Sequence, residues 1–350
     1  MVFESSFCSV HRRGLLLGRE RLFNGTSKCL LKHIGLRGIN VKTKTKILAA
    51  ILAVVVVAAA GAAAFTLVST PYSPQPPNVL PQGDQPQAQL QVTGSVLQEE
   101  TYSFRQLTEM PLTNVTATIN GENATYLGVD FFNFCNQTGM NWDAGPIDII
   151  SADGSKATLN IHQAYNSTFY PYYYNNNVIV LAFAKNGEWL TNTTGGPLKL
   201  VAPYFSGEYQ VQDVAEIHFK PWMITITGKV ANPLTLNSAN LSSIPSRTVY
   251  AEFAPSEKRW SNWTGLPIVD VLQAANVSEI AEKVKVTAVD GYVQNFTLQQ
   301  IRDGQMMIGF QENGSPLPHS EGGPYRLFAP TDKYKWAQFW VKYIVNIEVL

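Results

Sequence analysis

Cysteine is almost missing from this 350-residue chain, which has three: Cys8, Cys29 and Cys135. The first two precede a long apolar run and the third stands alone after it. No disulfide can therefore close within the larger C-terminal part, whose stability has to come from burial. Charge is sparse too, at 15% of residues. A sequence pI of about 7.0 and an acidic C-terminal part argue against nucleic acid as a partner. The five histidines, His11, His33, His162, His218 and His319, show no His-X-X-X-His spacing, so no metal centre is read from them. Gly-X-Ser-X-Gly, the phosphate-binding loop and the dinucleotide fingerprint are all absent, so no catalytic residue is assigned from those motifs.

The charge that is present is divided. Residues 1–46 hold ten of the 26 Lys and Arg but two of the 26 acids, leaving 16 bases against 24 acids beyond. This head is expected as a basic cytoplasmic tail near anionic lipid, or as an extension upstream of a start near Val41. Residues 47–68 follow with no charged side chain. Such a run spans a hydrocarbon core of about 30 Å and is expected as a single transmembrane anchor, with a cleaved signal as the alternative. Lys42, Lys44 and Lys46 keep the N-terminus inside, which puts the C-terminal domains outside the cell membrane. Ten Asn-X-Ser/Thr sequons after the run, from Asn114 to Asn313, fit a glycosylated exterior. Many sequons and no cysteine pair would suit an archaeal cell surface. Residues 69–89, rich in Pro and Gln, read as a semi-rigid spacer.

Beyond the spacer the chain repeats itself. Asn186–Pro203 reads NGEWLTNTTGGPLKLVAP and Asn313–Pro330 reads NGSPLPHSEGGPYRLFAP, with Gly-Gly-Pro at matching places. Upstream, Thr93-Gly94 matches Thr227-Gly228, Leu127-Gly128 matches Thr264-Gly265, and Asp153-Gly154 matches Asp290-Gly291. Thr158-Leu159 is set against Thr297-Leu298. A recurrence of this length means an internal duplication, with repeat one over 90–219 and repeat two over 220–350. Repeat one carries an insertion between Leu159 and Asn186 that holds the tract YNSTFYPYYYNNN. Its aromatics could stack on sugars or a partner, or pack as a loop.

Local patterns give both repeats strands and short helices. LQVTGSV, ITITGKV and KVKVTAV alternate as half-buried strands. Leu127, Phe131, Phe134 and Cys135 fall on one helical face, which makes Cys135 a core thiol. Pro267 opens a second helix with a stripe of Ile268, Val271, Leu272 and Ala275, and Thr297 with Gln300 forms a capping box before a third. The fold class is α+β, as two mixed domains in tandem.

The order of motifs in repeat two resembles the molybdopterin-binding domain of the sulfite oxidase family. The carriers are Trp263, Gly265 and Pro267; Asp290, Gly291 and Tyr292; Asn313, Gly314, Pro316, Leu317, Pro318 and His319; Gly322, Gly323, Pro324, Arg326 and Leu327; and Lys335 with Trp336. Repeat one resembles a degenerate copy, with Asn192 and Lys199 near the places of His319 and Arg326. The resemblance implies a molybdopterin cofactor, with His319, Arg326 and Lys335 as candidates for holding its anionic phosphate. It also implies a cysteine thiolate on molybdenum after the strand at Tyr250, where this chain reads Glu252-Phe253-Ala254-Pro255-Ser256. Three readings follow: a surface binding or assembly module that partners a redox or surface protein, an active oxidoreductase with another metal ligand, and a sugar-binding surface protein.

Overall fold

Three helices begin with the same reciprocal cap, and those caps set where strands hand over to helices. Ser103 with Gln106, Asn160 with Gln163 and Thr297 with Gln300 each exchange side-chain and backbone hydrogen bonds across the first turn. The computed structural model describes residues 78–170, 178–205, 207–253, 259–334 and 337–350. All of these belong to one compact unit, Gln75–Leu350.

The first half runs β1 (Gln89–Gly94), β2 (Glu100–Ser103), α1 (Phe104–Thr108), β3 (Leu112–Ile119), β4 (Glu122–Asp130) and α2 (Phe131–Gln137). It continues with β5 (Ala144–Ser151), β6 (Lys156–Asn160), α3 (Ile161–Phe169), β7 (Val180–Lys185), β8 (Glu188–Trp189), β9 (Lys199–Val201) and β10 (Val214–Pro221). The second half repeats the series: β11 (Ile224–Gly228), β12 (Leu234–Leu236), β13 (Arg247–Phe253), β14 (Arg259–Pro267) and α4 (Ile268–Ala274). Then come β15 (Lys283–Ala288), β16 (Val293–Thr297), α5 (Leu298–Asp303), β17 (Met307–Glu312), β18 (Ser315–Pro316), β19 (Arg326–Phe328) and β20 (Ile344–Val349). A 3-10 turn at Leu241–Ser243 stands where the first half has α1.

Each half has two sheets of the same order. One is β2-β1-β10-β5-β6, matched by β12-β11-β20-β15-β16. The other is β3-β4-β7-β8 with β9 on β7, matched by β13-β14-β17-β18 with β19 on β17. In both halves the first and last strands lie side by side in parallel, β1 with β10 and β11 with β20. Gly128 and Gly265 show why some matched residues are glycine. A Cβ on Gly128 would sit 2.1 Å from the Leu181 carbonyl oxygen, and one on Gly265 2.5 Å from that of Ile308. Neighbouring backbone passes too close for any side chain there.

The structure bears out the mixed α/β, strand-rich duplication and adjusts two local readings. Leu127 lies in β4, and the helix begins at Phe131, where Asp130 caps it by accepting from the Asn133 amide. The partner of Thr297 is Asn160 rather than Thr158, because both cap the helix that follows, and Thr158 sits inside β6. The insertion therefore falls between Asn160 and Asn186, in α3 and the connection after it. Phe131, Phe134 and Cys135 are fully buried, as are Ile268, Val271 and Ala275. The basic tail and the apolar run at 47–68 lie outside the described residues, and among those no helix is long and apolar enough to cross a membrane.

Candidate functional site at the junction of the halves

The turn after β18 is built from the inside. Pro318 precedes a 3-10 turn, His319–Glu321, which Gly322 ends in the left-handed region at φ +84°. Arg326, on β19 and 2% exposed, holds this turn from behind. Its Nη1 donates to the Glu321 carbonyl at 2.5 Å and lies 3.8 Å from the Glu321 carboxylate. The guanidinium also lies 5.3 Å from the Trp340 ring centroid. Burial pulls the Arg326 pKa down to about 10 against the opposing pull of Glu321 and Glu312. Arg259 joins these acids, at 3.1 Å from Glu312 and 3.5 Å from Glu321. The Tyr343 hydroxyl donates to the His319 carbonyl at 2.6 Å. Held at both points, the turn presents Pro316, Pro318, His319 and Ser320 to the first half.

There it meets α2 and α3. The His319 ring stands edge-on to Phe132, with centroids 6.0 Å apart, and 6.2 Å from Tyr165. A cleft of about 530 Å³ remains between the turn and the two helices. Its aromatic walls are Phe132, Trp142, Tyr165 and Phe169, and its polar groups are Asn136, Asn141, His319 and Ser320. Among the described lining residues there is no Lys, Arg, Asp, Glu or Cys. Burial pushes the His319 imidazole down to about 4, so it is neutral at pH 7. His162, from α3, is likewise pushed down to about 4 by burial, with Asp290 opposing. Its ring lies 5.3 Å from that of Tyr343. Trp222 ties the halves beside this cluster: its amide donates to the Asp143 carbonyl and its indole to the Ile344 carbonyl, at 2.7 and 2.6 Å.

Of the three expected phosphate contacts, His319 alone is placed on the cleft. Arg326 faces the interior of its own half, and Lys335 lies outside the described residues. Ser256 does so too. Cys135 is in the core on α2, its thiol pushed well up by burial and by Asp130. Its counterpart in the second half is Leu272, which packs in the same way. No group of three or more His, Cys, Asp or Glu that could hold a metal occurs among the described residues. Sequence reasoning did not single out Phe132 and Trp142. The adjacent pair Phe131-Phe132 was the available signal, because neighbouring helical positions point to different faces.

No curated protein sequence matches the chain. Among solved structures, the crystal structure of the sulfane dehydrogenase SoxCD from Paracoccus pantotrophus is similar at 14% identity. The likeness covers 77% of this chain and 79% of that one, with a TM-score of 0.34. The oxidoreductase molybdopterin binding domain matches twice, over residues 78–221 and 211–350. The chain therefore belongs to the oxidoreductase molybdopterin binding domain family and carries that domain twice in tandem.

Proposed function

We propose that this chain is a membrane-anchored, extracytoplasmic binding module built on two molybdopterin-binding-type domains, and that it holds no molybdenum. One observation carries the reading: the described lining of the junction cleft is aromatic and uncharged. A pterin phosphate is anionic and calls for a cationic partner, and molybdenum in this family's chemistry needs a thiolate. The described lining offers a neutral imidazole, two amides, an indole N–H and two hydroxyls, with no cation and no thiolate. Those groups do not fit the cofactor, so no redox step is drawn through it. Aromatic faces flanked by amides suit an uncharged ligand or a partner's surface instead. The outward orientation is supported by sequons away from both grooves: Asn123, Asn240, Asn262, Asn295 and Asn313 are all exposed.

The competing reading, a working oxidoreductase with a different metal ligand, is favoured by His319 standing on the cleft. The two separate in one experiment. The full chain is produced in a host that makes molybdopterin, and molybdenum and released pterin are measured per chain. The expected result is neither in more than trace amount. One molybdenum per chain would overturn the binding-module reading.

A further inference from the structure

The duplication places the same groove in both halves, and the two grooves differ in one respect. In the first half, Phe132, Asn136 and Met140, on and just after α2, and Tyr165 on α3 form the wall that receives the His319 turn. The matched residues in the second half are Val269, Gln273, Val277 and Arg302, and they line a groove of about 250 Å³ between α4 and α5. Every described residue lining that groove comes from the second half itself. Its floor is apolar, with Leu272 and Ile301 buried beneath Val269, which is 36% exposed. A second recess of about 260 Å³ shares Val269, Ile301 and Arg302 and extends the surface towards Arg247 and Met306.

The other partner of the contact is repeated as well. The first-half turn Asn192–Thr194 has the build of the His319 turn, ended by Gly195 at φ +90° and followed by Gly196–Pro197. Gly323–Pro324 is its counterpart, and both peptide bonds are cis. Thr191, Asn192, Thr193 and Thr194 are all exposed. Among the described residues the chain thus has one turn seated in one groove, one matched turn exposed and one matched groove open. A contact between a turn on one domain and a groove on the next is heterologous, and it leaves one turn and one groove of the same build unused at its ends.

We propose that the open α4/α5 groove of the second half receives the Thr191–Thr194 turn of a second copy of this chain, joining copies head to tail. The occupant is a second copy because the exposed turn is the matched equivalent of the one that fills the first-half groove. Arg302 replaces Tyr165 on the groove wall, where the seated turn offers His319 and Ser320, so in the matched contact its guanidinium meets the polar Asn192 and Thr193. Asn192 takes the place of His319 and Val269 that of Phe132, so these two residues meet across the junction between copies.

The test uses the full chain in detergent, produced in a bacterial host without N-glycans because Asn192 and Asn276 both head sequons. Wild-type protein is sedimented over a range of concentrations up to about 100 µM, which populates contacts with dissociation constants in the micromolar range. The mass is expected to rise with concentration beyond that of a dimer, since head-to-tail contacts do not stop at two. Separately, Asn192→Cys and Val269→Cys chains, each with Cys8→Ser and Cys29→Ser, are mixed and treated with a short bis-maleimide. Cross-linking at least tenfold above that of either chain alone is expected. A single monomer mass throughout, or equal cross-linking in mixed and unmixed samples, would overturn the proposal. The wild-type run involves no substitution, so a misfolded variant cannot mask the answer. Metal content does not enter either measurement, so this test stands or falls apart from the binding-module reading.

Discussion

Arg326 and Lys199 hold matched positions, and both are almost fully buried, at 2% and 5% exposed. Each has its charge near an aromatic ring: Arg326 by Trp340, and Lys199 5.6 Å from the Tyr126 centroid. The burial that pulls Arg326 down also lowers Lys199. The Arg326 cation serves the turn behind which it sits, through the Glu321 carbonyl. Replacing Arg326 with Gln leaves Glu321 without its inner partner and is expected to cost roughly 2–4 kcal/mol, read from the urea midpoint. Arg326→Lys should recover part of that, since lysine already works at the matched place. Glycan mapping offers a second check at single residues. Asn114 heads a sequon but is 8% exposed in β3, with its amide donating to Asn78 at 2.8 Å. It is expected to stay unmodified while Asn123 and Asn295 are occupied, as glycopeptide mass spectrometry would show. None of this burial was legible in the sequence. The Arg-Leu pattern at Arg326 is shared by surface and core strands, and Trp340 arrives from 14 positions further on.

Elements tell a different story, because their signals are local. The Thr297 and Gln300 box was readable, as was the stripe through Ile268, Val271 and Leu272, since each needs neighbours within two turns. The start of α2 was harder to place: Leu127 keeps helical spacing with Phe131 while being in a strand buried on both faces. The duplicated elements also keep one ion pair in place with its signs reversed. Lys185 on β7 pairs with Glu122 on β4 at 2.7 Å, and at the matched positions Glu312 pairs with Arg259. On the other sheet Asp148 is held by Lys220 and Lys156 at 2.7 and 2.9 Å, whereas in the second half Lys285 pairs with Glu348. Burial alone would raise Asp148, but the lysines and Thr158 bring it to about 2. The Lys185–Glu122 pair is thus kept between matched strands with its signs exchanged, while on the other sheet the matched Asp148 and Lys285 draw partners from different positions. Lys185→Glu alone should therefore destabilise by about 0.5–1 kcal/mol, and adding Glu122→Arg should restore most of the loss. A double-mutant cycle in urea would measure both.

At the scale of the whole molecule the two halves meet through neutral histidines. His162 and His319 both titrate at about 4 in the fold, against an ordinary value near 6.5. A depressed histidine favours the fold while it stays neutral. Its contribution is complete above pH 6.5 and is lost as pH falls from 6.5 towards 4, because the unfolded chain takes up the protons first. Each histidine is expected to remove roughly 1–3 kcal/mol over that window. Melting temperatures taken every half unit of pH should show the decline, and His162→Gln should flatten part of it. Trp222 is the other tie: Trp222→Phe strands the Ile344 carbonyl and should cost about 1–3 kcal/mol without changing the pH slope. The tandem plan was legible from the Gly-Gly-Pro recurrence, but the cleft was not. It is assembled from α2, α3 and a turn about 150 positions away, and no local pattern records which groove a distant turn will fill.

The parallel pairing of β1 with β10, and of β11 with β20, brings the entrance and exit of each half together on one sheet. Only Trp222 and Met223 separate the end of β10 from the start of β11. A gene segment with this geometry can be copied in tandem with almost no connecting sequence. Because parallel neighbours begin at the same end, the entrance of each half lies a strand's length from its exit, so reopening a half at an outer hairpin such as Asp153-Gly154 would require a crossover linker between its natural ends. Duplication here required no new scaffold, and later divergence was free to act on what each copy offers its neighbour.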